Sequence, residues 1–204
     1  MFTGIVQGMA TIISHQINSG GSRLTLELPE GSEKSLQIGA SIAVDGSCLT
    51  TTEMEGRRVH FDLVGETLAK TSLGIRAAGD KVNIERAAKI GSEIGGHLMS
   101  GHVSDIAKII AVEEPEGNHI LTLSVNADLM KYILPKGFIG LDGCSLTIVD
   151  TDAEMGTFTV WLIPETLSVT CFGHRGLDAL VNVEIDSQTQ AVVDTVISYM
   201  ENNA

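Results

Sequence analysis

Apolar and polar residues alternate with a period of two along much of this chain. Arg23-Leu24-Thr25-Leu26-Glu27-Leu28 alternates throughout, and His119-Ile120-Leu121-Thr122-Leu123-Ser124-Val125 does so after a slip at its start. Val59-His60-Phe61-Asp62-Leu63 and Thr157-Phe158-Thr159-Val160-Trp161-Leu162 follow the same pattern. Such stretches are strands with one face on a core. Turn signals separate them at Asn18-Ser19-Gly20-Gly21, Asp45-Gly46, Glu55-Gly56, Glu116-Gly117-Asn118 and Asp142-Gly143. Many short strands with frequent turns predict antiparallel barrels or sandwiches. Thr67-Leu68-Ala69-Lys70 and Lys131-Tyr132-Ile133-Leu134 are expected as short helical turns. From Gln188 to about Asn202 the period becomes helical, with Val192, Val193, Val196, Ile197 and Met200 on one stripe. Ser187 and Gln190 are spaced as a capping box, and Asp186 is also placed to cap. This tail is rich in β-branched residues and marginal alone in water, so its stripe must dock on a barrel or pair with copies of itself. Its terminal position favours the second.

The chain is written twice. Thr3-Gly4-Ile5-Val6 recurs as Ser100-Gly101-His102-Val103, and Val44-Asp45-Gly46-Ser47-Cys48-Leu49-Thr50 as Leu141-Asp142-Gly143-Cys144-Ser145-Leu146-Thr147, both at an offset of 97 residues. Glu66-Thr67-Leu68 returns as Glu165-Thr166-Leu167, and Val82-Asn83-Ile84-Glu85 as Val181-Asn182-Val183-Glu184, at an offset of 99. The unit is too long for a solenoid repeat and has the size of a small domain. A tandem duplication predicts related sites in both halves. The expected units are residues 1–97, 98–186 and 187–204.

The small, hydroxyl- or thiol-bearing blocks around Cys48 and Ser145 could converge on a flat polar heterocycle, with Gly4 and Gly101 letting a ligand approach the backbone. Equally, they could be turns that the fold itself needs. Differences between the copies are more informative: Ile5 becomes His102, Gly39 Lys136, Ser41 Phe138, Cys48 Ser145 and Ala87 Asp186. The second copy thereby gains a base, a cation and a carboxylate, which suits two molecules of one ligand in different roles. His97 and His102 are five apart and would face opposite ways on a strand, so a shared metal is not expected.

Composition adds exclusions. A formal net charge of −13, with scattered Lys and Arg, argues against nucleic acid or an anionic membrane as partner. No apolar run approaches the ~18 residues of a spanning helix. Three cysteines (Cys48, Cys144 and Cys171) without paired spacing suggest neither a disulfide framework nor a zinc site, and the expected location is the cytoplasm. Cys144 and Cys171 read as small buried apolar residues.

The opening Met1-Phe2-Thr3-Gly4-Ile5-Val6-Gln7-Gly8, the block Gly95-Gly96-His97-Leu98-Met99-Ser100-Gly101-His102, the stretch Lys136-Gly137-Phe138-Ile139-Gly140-Leu141-Asp142-Gly143-Cys144-Ser145-Leu146-Thr147 and the end Glu184-Ile185-Asp186-Ser187-Gln188-Thr189-Gln190 resemble the riboflavin synthase family, α-chain type. The likeness runs the whole length. It implies an all-β fold of two six-stranded antiparallel Greek-key barrels and a C-terminal helix that gathers a homotrimer. It implies dismutation of two 6,7-dimethyl-8-ribityllumazine molecules to riboflavin and 5-amino-6-ribitylaminouracil, with no cofactor or metal. The reacting pair would lie between the N-barrel of one subunit and the C-barrel of the next. By resemblance Gly4, Ile5, Val6, Cys48, Leu49, Thr50, Asp62, Leu63, Val64, Gly65, Glu66 and Thr67 line the N-barrel site, with Ser41 and Phe2 nearby. Gly101, His102, Val103, Lys136, Ser145, Leu146, Thr147, Leu162, Ile163, Pro164, Glu165, Thr166 and Leu167 line the C-barrel site. His102, Ser145, Thr147 and Asp186 would assist proton movement, and Cys48 would sit beside the acceptor as nucleophile or wall. Ser47, where some relatives have a second cysteine, would turn away from the ligand. The alternative reading is a non-catalytic lumazine- or flavin-holding antenna, and association with lumazine synthase is a further prospect.

Overall fold

The computed structural model describes residues 1–203. Twelve strands form two closed antiparallel barrels. The first contains β1 (Gly8–Asn18), β2 (Gly21–Glu27), β3 (Ser41–Val44), β4 (Ser47–Glu55), β5 (Arg58–Val64) and β6 (Lys81–Arg86), in the order β1-β2-β5-β4-β3-β6. The second contains β7 (Asp105–Glu113), β8 (His119–Ser124), β9 (Phe138–Leu141), β10 (Cys144–Asp152), β11 (Thr157–Leu162) and β12 (Leu180–Ile185). Its cyclic order, β7-β8-β11-β10-β9-β12, repeats the first. Closure removes the exposed edges that six short strands would otherwise present. Bulges recur at equivalent places, at Ile12/Ser14 and Ile109/Ala111 and again at Thr51/Glu53 and Ile148/Asp150.

The alternating residues fill the barrels. Leu24, Leu26, Val59, Phe61 and Ile84 are buried in the first core, and Leu121, Leu123, Phe158, Val160 and Val183 in the second. After β5 and β11 come the short helices α1 (Gly65–Lys70) and α2 (Pro164–Val169). The turn expected over Lys131–Leu134 lies earlier, as a 3-10 helix over Ala127–Tyr132, where the Asn126 side chain accepts from the Asp128 amide. The tail is α3 (Ser187–Asn202), capped by Asp186 rather than Ser187: the Asp186 carboxylate accepts from the amides of Gln188 and Thr189. An ionised oxygen at a helix start satisfies otherwise orphaned N–H groups.

The barrels meet through reciprocal contacts built from the repeated blocks. Asp45-Gly46 and Asp142-Gly143 both turn tightly, with φ of 43° and 80° in one and 44° and 78° in the other. The turns lie back to back. A Cβ on Gly46 would come within 2.7 Å of the Gly143 nitrogen, so only glycine fits. Asn83 donates to the Asp142 carbonyl at 2.9 Å, and Asn182 donates to the Asp45 carbonyl at 2.7 Å. Glu85 accepts from Thr3 and Gly4, while Glu184 accepts from Ser100 and Gly101. Phe2 and Met99 bridge and share a small buried cluster with Ala43. One arginine breaks the symmetry. Arg175 Nη2 lies 2.8 Å from Asp45 and 2.9 Å from Asp142, but donates a hydrogen bond only to Asp45.

Candidate active site

The glycine-bearing segments cross between barrels. The Ser145 amide donates to the Gly4 carbonyl at 2.8 Å, and the Cys48 amide donates to the Gly101 carbonyl at 2.9 Å. Val6 is buried in the core of the second barrel. The expected grouping is therefore exchanged: residues 3–6 lie against β10 of the second barrel, and residues 100–103 against β4 of the first. Gly101, which leads into His102 and Val103, stands beside Cys48, not Ser145. Duplicated segments can reach either copy of a docking surface, and local sequence carries no information about which. Gly4 (φ 74°) and Gly101 (φ 82°) do permit close approach, but of protein: a Cβ at Gly4 would meet Ser145 at 2.4 Å, and one at Gly101 would meet Cys48 at 2.6 Å.

Strand pairing arranges the remaining candidates in rows on the outer barrel faces. In the first barrel Ser41 pairs with Thr50, and the Thr51–Phe61 pair places Asp62 on the other side of Thr50. Cys48 and Val64 lie one residue pair along the same face. An open groove of about 820 Å3 runs past Asp62 and Val64 beside the β1–β2 turn. In the second barrel Phe138 pairs with Thr147, and the Ile148–Val160 pair places Trp161 beyond it; Ser145 and Ile163 share that face. Leu49, Leu63, Leu146 and Leu162 point inward and belong to the barrel cores. Gly65, Glu66 and Thr67 open α1, whereas Pro164, Glu165, Thr166 and Leu167 open α2. Thr50, Asp62, Val64, Thr147 and Ile163 are exposed, so each half-site is an open floor.

The second floor carries polar chemistry that sequence reading did not assign. His97 Nδ1 lies 2.7 Å from Ser145 Oγ, and its ring stacks on Phe138 with centroids 5.1 Å apart. Nε2 is buried without a partner. Burial lowers the His97 pKa, partly opposed by the charge of Asp186. For Asp186, burial disfavours the charge, but hydrogen bonds from Thr189 and Gln188 outweigh it and hold the carboxyl below its usual value. Asp186 is thus an ionised helix cap whose field reaches His97. Lys136 is exposed at φ 67°, in the turn where the first barrel has Gly39 at φ 88°. Cys144 is buried, and its thiol is pushed up to about 12 by desolvation, while burial also raises that of Cys171. Both are inert at neutral pH. Among the described residues no three His, Cys, Asp or Glu side chains cluster as a metal site, and no helix is long and apolar enough to cross a membrane.

Comparison with known proteins places this geometry. The family model described as lumazine binding domain matches twice, over residues 3–87 and 100–186. The chain is a tandem lumazine-binding-domain protein. Riboflavin synthase of Escherichia coli (strain K12) is 51% identical over 96% of this chain and 92% of that protein. Those of Buchnera aphidicola subsp. Schizaphis graminum and Chlamydia pneumoniae are 43% and 41% identical, each over 96% of this chain and 93% and 95% of theirs. Within that class the chain belongs to the riboflavin synthase family. Crystal structures of LumP, complexed with riboflavin and with 6,7-dimethyl-8-(1'-D-ribityl) lumazine, superpose with TM-scores of 0.84 and 0.82 at 28% and 25% identity, covering 92% of this chain and all of theirs.

Proposed function

We propose that this chain is a riboflavin-forming transferase. It dismutates two 6,7-dimethyl-8-ribityllumazine molecules by four-carbon transfer, giving riboflavin and 5-amino-6-ribitylaminouracil. The observation that carries this reading is a duplicated floor of which only the second copy bears a serine paired with a neutral histidine. Two similar floors suit two copies of one substrate, and their difference suits two roles. The 7-methyl group of the lumazine is acidic because its carbanion delocalises into the ring, so weak bases suffice. Ser145 and His97 would pass that proton between hydroxyl and imidazole, with the Asp186 charge favouring the protonated ring. Thr147 would hold the ring from the floor. Lys136 would balance developing negative charge. His102, next in the chain to the glycine beside Cys48, would act on the molecule of the first floor, where Cys48 is a wall or a nucleophile. Most of the acceleration would come from holding the reactants together, an effect worth roughly 7–11 kcal/mol when geometry is close.

Open floors need a cover. The proposed assembly is a homotrimer in which the N-barrel floor of one subunit closes on the C-barrel floor of the next, gathered by α3. Val192, Val196, Tyr199 and Met200 are exposed on that helix, which supports self-association. The functional units would be residues 1–97, 98–186 and 187–204, in the cytoplasm, with association with lumazine synthase a separate question of binding. LumP, complexed with a lumazine, supports a second reading as a holder without turnover; the Ser145–His97 pair favours the enzyme. Mixing purified protein with the lumazine and following riboflavin optically decides between them. Multiple turnovers without added cofactor are expected, and stoichiometric binding without product would overturn the proposal.

A further inference from the structure

The duplication allows the two floors to be compared position by position. On the first, the outer row runs Ser41, Thr50, Asp62 and Arg23 across β3, β4, β5 and β2. On the second, it runs Phe138, Thr147, Trp161 and Ile120 across β9, β10, β11 and β8. The central threonine is shared. Every other member changes from polar or charged to aromatic or aliphatic. Phe138 is 48% and Trp161 51% exposed, and Trp161 is the chain's single tryptophan. Scattered apolar residues on a surface need no explanation, but here two aromatics flank one threonine. The His97 ring braces one of them, lying nearly parallel to Phe138 at 15°.

The spacing suits a flat guest. Phe138 and Trp161 stand on strands two spacings apart, about 10 Å. A heterocycle between them would make two successive offset stacks, each of about 4.5–7 Å between centroids. We infer that Trp161 and Phe138 form an aromatic slot over Thr147 that grips the ring of the ligand on the second floor. The first floor holds its ring instead through the polar groups of Ser41, Thr50 and Asp62. This rests on the proposed lumazine reading and deepens it: the two copies of one substrate are distinguished by how their rings are held. Trp161 is the specificity-determining residue of the second floor. It lies outside the repeated blocks, and its counterpart Asp62 has opposite chemistry.

The test uses the intact protein, with riboflavin as the probe. Binding isotherms are compared for wild type, W161D (which installs the first barrel's residue) and W161F (which keeps a ring). Two classes of site are expected in the wild type. W161D should weaken one class by about tenfold, the scale of a lost aromatic stack, and leave the other unchanged. W161F should retain most of the affinity. Unchanged isotherms in W161D, or equal losses in both classes, would overturn the slot. So would a fall in the sedimentation coefficient of W161D, which would mean that another copy of the chain, rather than a ring, covers Trp161. Lumazine turnover by the wild type is read separately and speaks to the reaction alone, since the slot stands or falls on riboflavin binding.

Discussion

Lys136 stands where the backbone favours glycine. A side chain in the left-handed region costs about 1–2 kcal/mol, and the first barrel avoids this by using Gly39 in the equivalent turn. Part of the relief in K136G is offset by the greater freedom of glycine in the unfolded chain. K136G should therefore be more stable by up to about 1 kcal/mol in urea unfolding while turning over lumazine more slowly. A variant that is stabilised and fully active would show that the ammonium has no part in the reaction. His97 makes a sharper prediction. Its pKa is lowered by burial, so it stays neutral, and able to exchange a proton with Ser145, below the usual histidine value of about 6.5. The acid limb of the turnover profile should fall below that value. H97Q should lose the limb and roughly 100-fold in turnover. An unchanged profile in H97Q would assign the limb to another group.

The elements divide their faces between the core and the surface, and α3 is the clearest case. The stripe legible in the sequence splits in two: Val193 packs against the second barrel, while Val192, Val196 and Met200 face outward. Tyr132 also donates to Asp194 from the 3-10 helix beneath, at 2.5 Å. Of the two options open for the tail, docking is realised by Val193, and the face beyond it is left uncovered. V193A should lower the unfolding temperature, as loss of packed methyl groups does. V196D should leave that temperature nearly unchanged at low protein concentration but shift sedimentation toward the monomer. If V196D sediments as the wild type, the uncovered face plays no part in assembly.

For the molecule as a whole, the junction between barrels concentrates buried charge. Burial raises the Asp45 pKa to about 7, and it raises that of Asp142 as well, with the neighbouring Asp45 adding to the shift. Glu85 and Glu184 are raised too, again chiefly by burial, against hydrogen bonds from the segments they cradle. In each case the folded state keeps protons that the unfolded chain has released. The stability these groups contribute is full below about pH 4, their unfolded range, and is lost as pH rises through the folded values. For Asp45 the loss runs from about pH 4 up to about pH 7. Between about pH 4 and 7 the melting temperature should fall, and D45N should flatten the decline. A melting temperature that climbs across this window would mean that Arg175, together with Arg76, whose Nε lies 3.6 Å from Asp45, keeps the carboxyls ionised.

The barrels, their cores and the capped tail were legible because strand and helix periodicities are local properties. A duplicated chain also announces its duplication. Floor positions such as Thr50, Cys48, Thr147 and Ser145 could be named because they lie inside the repeated blocks. The exchange of residues 3–6 and 100–103 could not be read, since similar segments fit either copy of the docking surface and only the folded path of the chain selects one. His97 stayed hidden because its partner Ser145 is 48 residues away and the motif containing both histidines suggests no pairing between them. Trp161 and Phe138 looked like ordinary members of alternating strands. Their meeting around Thr147 depends on register across three strands, which hydrogen bonding between distant segments sets.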